Sequence, residues 1–211
     1  MPRATRPRLA RAAGDKINQM DPVFTLQWAE FLLANRLQKL LPKKDGYSVL
    51  IPTSRQEKGI DLAVLKKSHG QNRVVTIQIK ASRTYSGTPP KRETTKKFAF
   101  YTWFNRFDVP EEADFILLFG MYAPDAGRTK PVTAKWYRDC TLLFTKAEMK
   151  QLMLNCLTVG GQPDKMFGFG FNDPSAVFQT RGDEDRNLKP FSDFLLDKRV
   201  KLIHETLRIY V

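Results

Sequence analysis

Apolar side chains recur at helical spacing over residues 23–41, where Leu26, Leu33, Leu37 and Leu40 share one stripe. Asp21 before Pro22 reads as a cap followed by proline in the first turn, and Pro42 marks the end of the helix. The period then changes. After the turn Lys43-Lys44-Asp45-Gly46, residues 47–51 read as a first strand. In residues 59–65, Ile60, Leu62 and Val64 point to one face and Asp61, Ala63 and Leu65 to the other. In residues 74–80, Val75, Ile77 and Ile79 share a face, while Thr76, Gln78 and Lys80 share the opposite one. The polar connection over 66–73 contains Gly70 and suits a hairpin loop.

Further along, residues 98–107 form an aromatic strand candidate, and 113–122 read as a buried strand after the acidic turn Pro110-Glu111-Glu112. Residues 135–144 add strand, and 145–157 a helix capped by Thr145. The stretch 159–173, with its Gly and Pro, reads as loop or irregular strand, and the chain ends in a helix near 190–208 whose acids and bases alternate. The reading is α/β, with a mixed sheet of the α+β kind. It divides into a basic arm over 1–20, a core over 21–158, and an extension over 159–211 whose last helix packs on the core.

Composition narrows the class. The 211 residues include 15 Phe and are 42% hydrophobic, enough for a folded core. Lys and Arg number 35 against 22 acids, a formal charge of +13, which favours a polyanionic partner such as nucleic acid. The two cysteines, Cys140 and Cys156, have no C-x-x-C spacing, which suits a reducing cytoplasm and indicates neither a zinc site nor a disulfide framework. The basic N-terminus has no apolar segment of the secretory kind, and the longest apolar run, 115–123, is far short of a membrane span. The expectation is a cytoplasmic protein with no membrane partner.

The hairpin carries the candidate chemistry. A turn near His69-Gly70 places Asp61 opposite Gln78, with Cβ atoms roughly 5 Å apart on one face. Lys80 lies one side-chain period further on. A carboxylate, an amide oxygen and an ammonium thus converge on one polar patch. A hard divalent cation fits Asp61, the Gln78 side-chain oxygen and the Ile79 backbone carbonyl. Lys80 then orients an attacking water or stabilises transition-state charge. Glu30, in the most apolar part of the first helix, is a fourth candidate, reaching the metal through water because a buried carboxylate needs a partner.

A helix with an inward Glu, a strand, Gly59-Ile60-Asp61 on a second strand and Gln78-Ile79-Lys80 on a third resemble the PD-(D/E)XK, or restriction-endonuclease-like, nuclease superfamily. The nearest likeness is to its Mrr-like and Holliday-junction-resolvase-like branches, where QxK replaces ExK. The likeness covers residues 22–123. It implies an αβββαβ core, to which this chain adds C-terminal helical parts. It also implies dependence on Mg2+, with Mn2+ able to substitute, and hydrolysis of DNA phosphodiester bonds in restriction, repair or recombination. Asp61 and Gln78 become metal ligands, and Lys80 attends the nucleophile. Two departures stand out. Gln78 removes a negative charge for which Glu57 is the nearest compensating acid, and no long helix is evident between Lys80 and the strand at 113.

Other readings stand beside this one. Asp61 and Lys80 also suit an exposed cross-strand ion pair. Tyr101 and Trp103 suit base stacking, but core packing is favoured. Arg83, Lys91, Arg92, Lys96 and Lys97 form a basic stretch that either grips phosphates or only keeps the chain soluble. His69 and His204 belong to no ligand spacing. The same fold with a drifted site gives a non-catalytic nucleic-acid-binding module. A third option is an interaction subunit that acts only with a partner. RNA as substrate and a homodimer are both compatible with the sequence.

Overall fold

The computed structural model describes residues 22–52, 59–68, 71–86, 98–122, 137–184 and 187–208. The helix α1 (Pro22–Leu40) leads into a short 3-10 turn and β1 (Tyr47–Leu50). The hairpin β2 (Leu62–Ser68) and β3 (Gln71–Ser86) follows, then β4 (Phe100–Asn105), β5 (Phe115–Tyr122) and β6 (Arg138–Thr145). The remainder is α2 (Lys146–Leu154), β7 (Met166–Phe171), β8 (Val177–Arg181) and α3 (Leu196–Thr206). The fold is mixed α and β, and it is largely antiparallel.

The strand β3 organises the sheet. Over its 16 residues it has three partners: β2 antiparallel up to Ile77, β5 parallel from Ile77 to Arg83, and β4 antiparallel from Thr84 to Ser86. One arm of the sheet therefore runs β1-β2-β3-β5-β6 and the other runs β3-β4-β7-β8. Because β5 alternates between two cores, every residue along it is buried. Phe115, Leu117 and Phe119 join Leu62, Val64, Val75 and Ile77 beneath α1 and α3. Ile116 and Leu118 join Leu142, Phe144, Met149 and the phenylalanines of β7 in the second core.

Polar contacts fix the helices to this frame. Arg36 on α1 is paired with Asp139 on β6 and with Asp197 on α3, the latter at 2.6 Å. Gln38 receives the Val49 N–H at 3.0 Å and donates to Leu41 O at 2.8 Å, which closes part of the edge of β1. Thr145 and Glu148 form a capping box at the start of α2, and Arg199 of α3 donates to both Glu148 oxygens at 2.9 and 2.6 Å.

Several expectations need correction. On α1, Leu33 and Leu37 are buried as expected, but Leu41 rather than Leu40 completes the stripe. The stretch 159–173 contains a regular strand, β7: Phe167, Phe169 and Phe171 face the core, with Gly168 and Gly170 between them. Glycine carries little strand signal, which hides this alternation. The last helix begins at Leu196, not near 190, because Pro190 pairs with Phe178 as an extension of the sheet. Among the described residues, a strand (β4) and no helix lies between β3 and β5. Cys140 and Cys156 are free and buried. Among the described residues no helix is long and apolar enough to cross a membrane.

Replacing Thr145 by Ala removes the cap hydroxyl from α2 while leaving its length unchanged. The expected loss is about 1 kcal/mol of stability, within the usual 0.5–2 kcal/mol for such caps, read from the urea midpoint at constant slope.

Candidate functional site

The β2–β3 register runs from Ser68 opposite Gln71 to Leu62 opposite Ile77. One step further would set Asp61 opposite Gln78, as the sequence suggests. The ladder stops there and the chain bends at Asp61. The Asp61 N–H donates to Ile77 O at 2.9 Å, and its carboxylate accepts the Ile79 N–H at 2.5 Å. Asp61 thus grips β3 on both sides of Gln78. The bend depends on Gly59, whose φ of +81° is a left-handed conformation. A Cβ on Gly59 would lie 2.5 Å from Pro110 Cβ, so the turn before β5 closes over the start of β2.

Within a strand the N–H and C=O of one residue point to the same edge. The Ile79 carbonyl is therefore turned toward the edge that β2 has left, where Asp61 sits. The opposite edge belongs to β5. It is pinned by Asp114, which receives the Thr76 N–H at 2.9 Å and returns its own N–H to Thr76 O at 3.0 Å.

The polar groups here are partly withdrawn from water. Burial is the largest influence on Asp61 and raises its pKa above the ordinary 3.8, against the opposing pull of the Ile79 N–H and the Lys80 charge. The Gln78 Oε1 is fully buried and has no hydrogen-bond partner among the described residues. Such an acceptor costs about 1–3 kcal/mol. The Lys80 ammonium lies 4.9 Å from the centre of the Phe107 ring. It makes no hydrogen bond with a described residue, so its charge remains available.

An orphaned acceptor, a destabilised carboxylate and an outward carbonyl form an oxygen set that fits a hard cation. Among the described residues no three His, Cys, Asp or Glu side chains cluster as a metal centre. The set at Asp61 is of another kind, with one carboxylate and two neutral oxygens. Glu30 is half-buried on α1, whose Ala29, Leu33 and Leu37 pack in the same core as Val75 and Ile77. Gln78 and Lys80 leave β3 from the other face, where Phe107 lies against the second core. Arg83 is half-buried further along β3. Glu57, Lys91, Arg92, Lys96, Lys97, His69 and the arm over 1–20 lie outside the described residues, and His204 packs on the Tyr47 ring. Phe107, which the sequence reading places only at the end of an aromatic strand candidate, lies past the end of β4 in a segment without regular structure.

The raised Asp61 pKa has a definite sign. A carboxyl that holds its proton more tightly when folded contributes stability below its unfolded pKa and loses it as pH rises through the folded one. Asp61→Asn keeps an oxygen for the Ile79 N–H and removes the charge. Without divalent cations, the variant is expected to gain stability relative to wild type as pH rises from below about 4 toward neutrality. Urea unfolding in EDTA across that range checks this, and a gain that instead shrinks with rising pH contradicts it.

Comparison with protein-family models, curated proteins and solved structures gave no match for this chain, so a functional reading stands on the geometry of the Asp61–Gln78–Lys80 site.

Proposed function

We propose that the chain is a Mg2+-dependent nuclease of the restriction-endonuclease-like kind, hydrolysing DNA phosphodiester bonds at the Asp61–Gln78–Lys80 site. The observation that carries this reading is the buried Gln78 Oε1 with no hydrogen-bond partner among the described residues, beside a half-buried carboxylate and an ammonium that makes no hydrogen bond with a described residue. The Lys80 charge pulls the Asp61 pKa down, but burial outweighs it and raises the pKa. The element order also supports it: a helix, a three-strand meander, and a later strand parallel to β3 follow the arrangement that the resemblance implies. In this chain β4 stands where that arrangement has a helix.

Asp61 Oδ1, the Gln78 amide oxygen and the Ile79 carbonyl would hold the cation. When bound, the cation supplies Lewis acidity and neutralises charge at a phosphoryl oxygen. The remaining roles belong to the protein. The Ile79 N–H fixes the orientation of the Asp61 carboxylate through its other oxygen. The bend at Gly59 and its contact with Pro110 hold Asp61 in place. Lys80, held over Phe107 rather than in a salt bridge, presents a positive charge toward the developing charge on the reacting phosphate. The excess of basic residues supplies the affinity for a polyanion. Glu30, half-buried on α1, would reach the cation through water as a fourth member of the site.

A cleavage assay tests the reading. Supercoiled plasmid, linear duplex, single strands and a four-way junction are incubated with the protein and Mg2+ or Mn2+, beside Lys80→Ala. The expected result is metal-dependent cutting of at least one substrate, reduced roughly 100- to 1,000-fold in the variant. Salt-sensitive binding without cutting of any substrate would instead make the chain a non-catalytic nucleic-acid-binding module.

A further inference from the structure

Beyond the candidate site, β3 continues into the smaller arm of the sheet, and one face of that arm is aromatic. Residues alternate across a strand, so Arg83 and Tyr85 of β3 share this face, as do Tyr101 and Trp103 of β4. On β7 the corresponding positions are Gly168 and Gly170, which have no side chains. Rings lie directly on that bare backbone. A Cβ on Gly168 would lie 2.3 Å from Trp103 Cδ1, and one on Gly170 would lie 2.5 Å from Phe98 Cδ2.

The two ends of this aromatic floor differ. At one end Phe98 and Tyr101 are buried, and the Tyr101 hydroxyl accepts the Phe98 N–H at 2.8 Å. Here the favoured reading of the sequence, core packing, holds. At the other end Trp103 is only half-buried and Tyr85 is 44% exposed. Their ring centres are 5.1 Å apart, and Trp103 continues the stack onto Tyr101 at 5.8 Å with an interplanar angle of 15°. The Arg83 guanidinium, two residues before Tyr85, has no hydrogen bond or ion pair with any described residue. Two residues along a strand span roughly 6.6 Å, so a cation and an open ring face lie side by side.

We propose that Tyr85 and Trp103 form a stacking platform for an unpaired nucleobase, with Arg83 contacting the adjoining phosphate. A partly exposed ring pair next to a guanidinium with no partner among the described residues, on a chain of net charge +13, matches how single strands are held: sequence-tolerant stacking plus charge along the backbone. A duplex keeps its base faces stacked internally and can offer only its phosphates. The inference deepens the proposed function by naming the substrate class as nucleic acid with a single-stranded segment. It rests on that reading for the choice of a polyanion.

The experiment is direct binding in EDTA, where hydrolysis plays no part. A labelled twelve-nucleotide oligothymidylate and a duplex of equal length are titrated with the full chain by anisotropy, with tryptophan quenching followed in parallel. The variants are Tyr85→Ala, Tyr85→Phe and Arg83→Gln, each checked by urea unfolding. Tyr85→Ala is expected to weaken single-strand binding roughly 5- to 100-fold, with Phe restoring it and duplex binding unchanged. Arg83→Gln is expected to lower the slope of log affinity against log salt by about 0.7. Unchanged single-strand binding by Tyr85→Ala, equal losses for single strand and duplex, or no binding by wild type would each overturn the platform. Cleavage that persists beside an unchanged Tyr85→Ala would overturn the platform alone. A platform that behaves as expected in a protein that does not cut would overturn only the catalytic reading.

Discussion

The β2–β3 ladder ends at Leu62 and Ile77, and the candidate site depends on what the chain does at the next residue. A further antiparallel pair would spend the Ile79 N–H and carbonyl on backbone bonds to β2. Instead the chain bends at Asp61, whose carboxylate takes that N–H while its own N–H holds Ile77 O. The carbonyl edge of Ile79 is left to face a carboxylate rather than a strand. Gly59, with its left-handed backbone against Pro110, is what makes the bend sterically possible.

That local break can be stable because β3 is held elsewhere along its length. Upstream it lies between β2 and β5, and downstream it is taken up by β4. The two cores press on it from opposite sides, so the backbone carrying Gln78 and Lys80 sits in a rigid frame. Some buried polar groups are matched, as in Asp164 with Arg181 at 2.9 Å and Asp183 with Lys189 at 2.8 Å. Among the described residues two buried side-chain oxygens are not, Gln78 Oε1 and Thr180 Oγ1. At Gln78 the cost is one that a bound cation would remove.

Much of this was legible in the sequence where a short period governs the structure. The alternation in residues 59–80 is enough to give the β2–β3 hairpin and its register as far as Leu62 opposite Ile77, although the ladder stops before Asp61 and Gln78. Thr145 reads as the cap of α2, which the structure completes as a capping box with Glu148, and the apolar run over 113–122 reads as a buried strand, which β5 is along its whole length. Three features were not legible, each for a physical reason. Phe-Gly alternation in β7 looked like a loop because glycine disfavours strands in isolation, although here it makes room for Trp103 and Phe98. Pro190 concealed an extended segment within an apparent helix. The third is the seating of α1: helical periodicity shows which side of the helix is apolar, but not that this side packs on the Val75 and Ile77 face of β3.

The central claim is that the buried Gln78 oxygen and Asp61 exist to hold a divalent cation. Titration calorimetry with Mn2+, on wild type and Gln78→Leu, paired with urea unfolding in EDTA, tests it most directly. The account expects one Mn2+ to bind wild type and to raise its stability. Gln78→Leu is expected to be as stable as wild type or more so in EDTA, by up to about 1–3 kcal/mol, and to bind Mn2+ at least roughly tenfold more weakly, a loss of about 1.4 kcal/mol. Failure of wild type to bind Mn2+, or equal binding by both proteins, would contradict it.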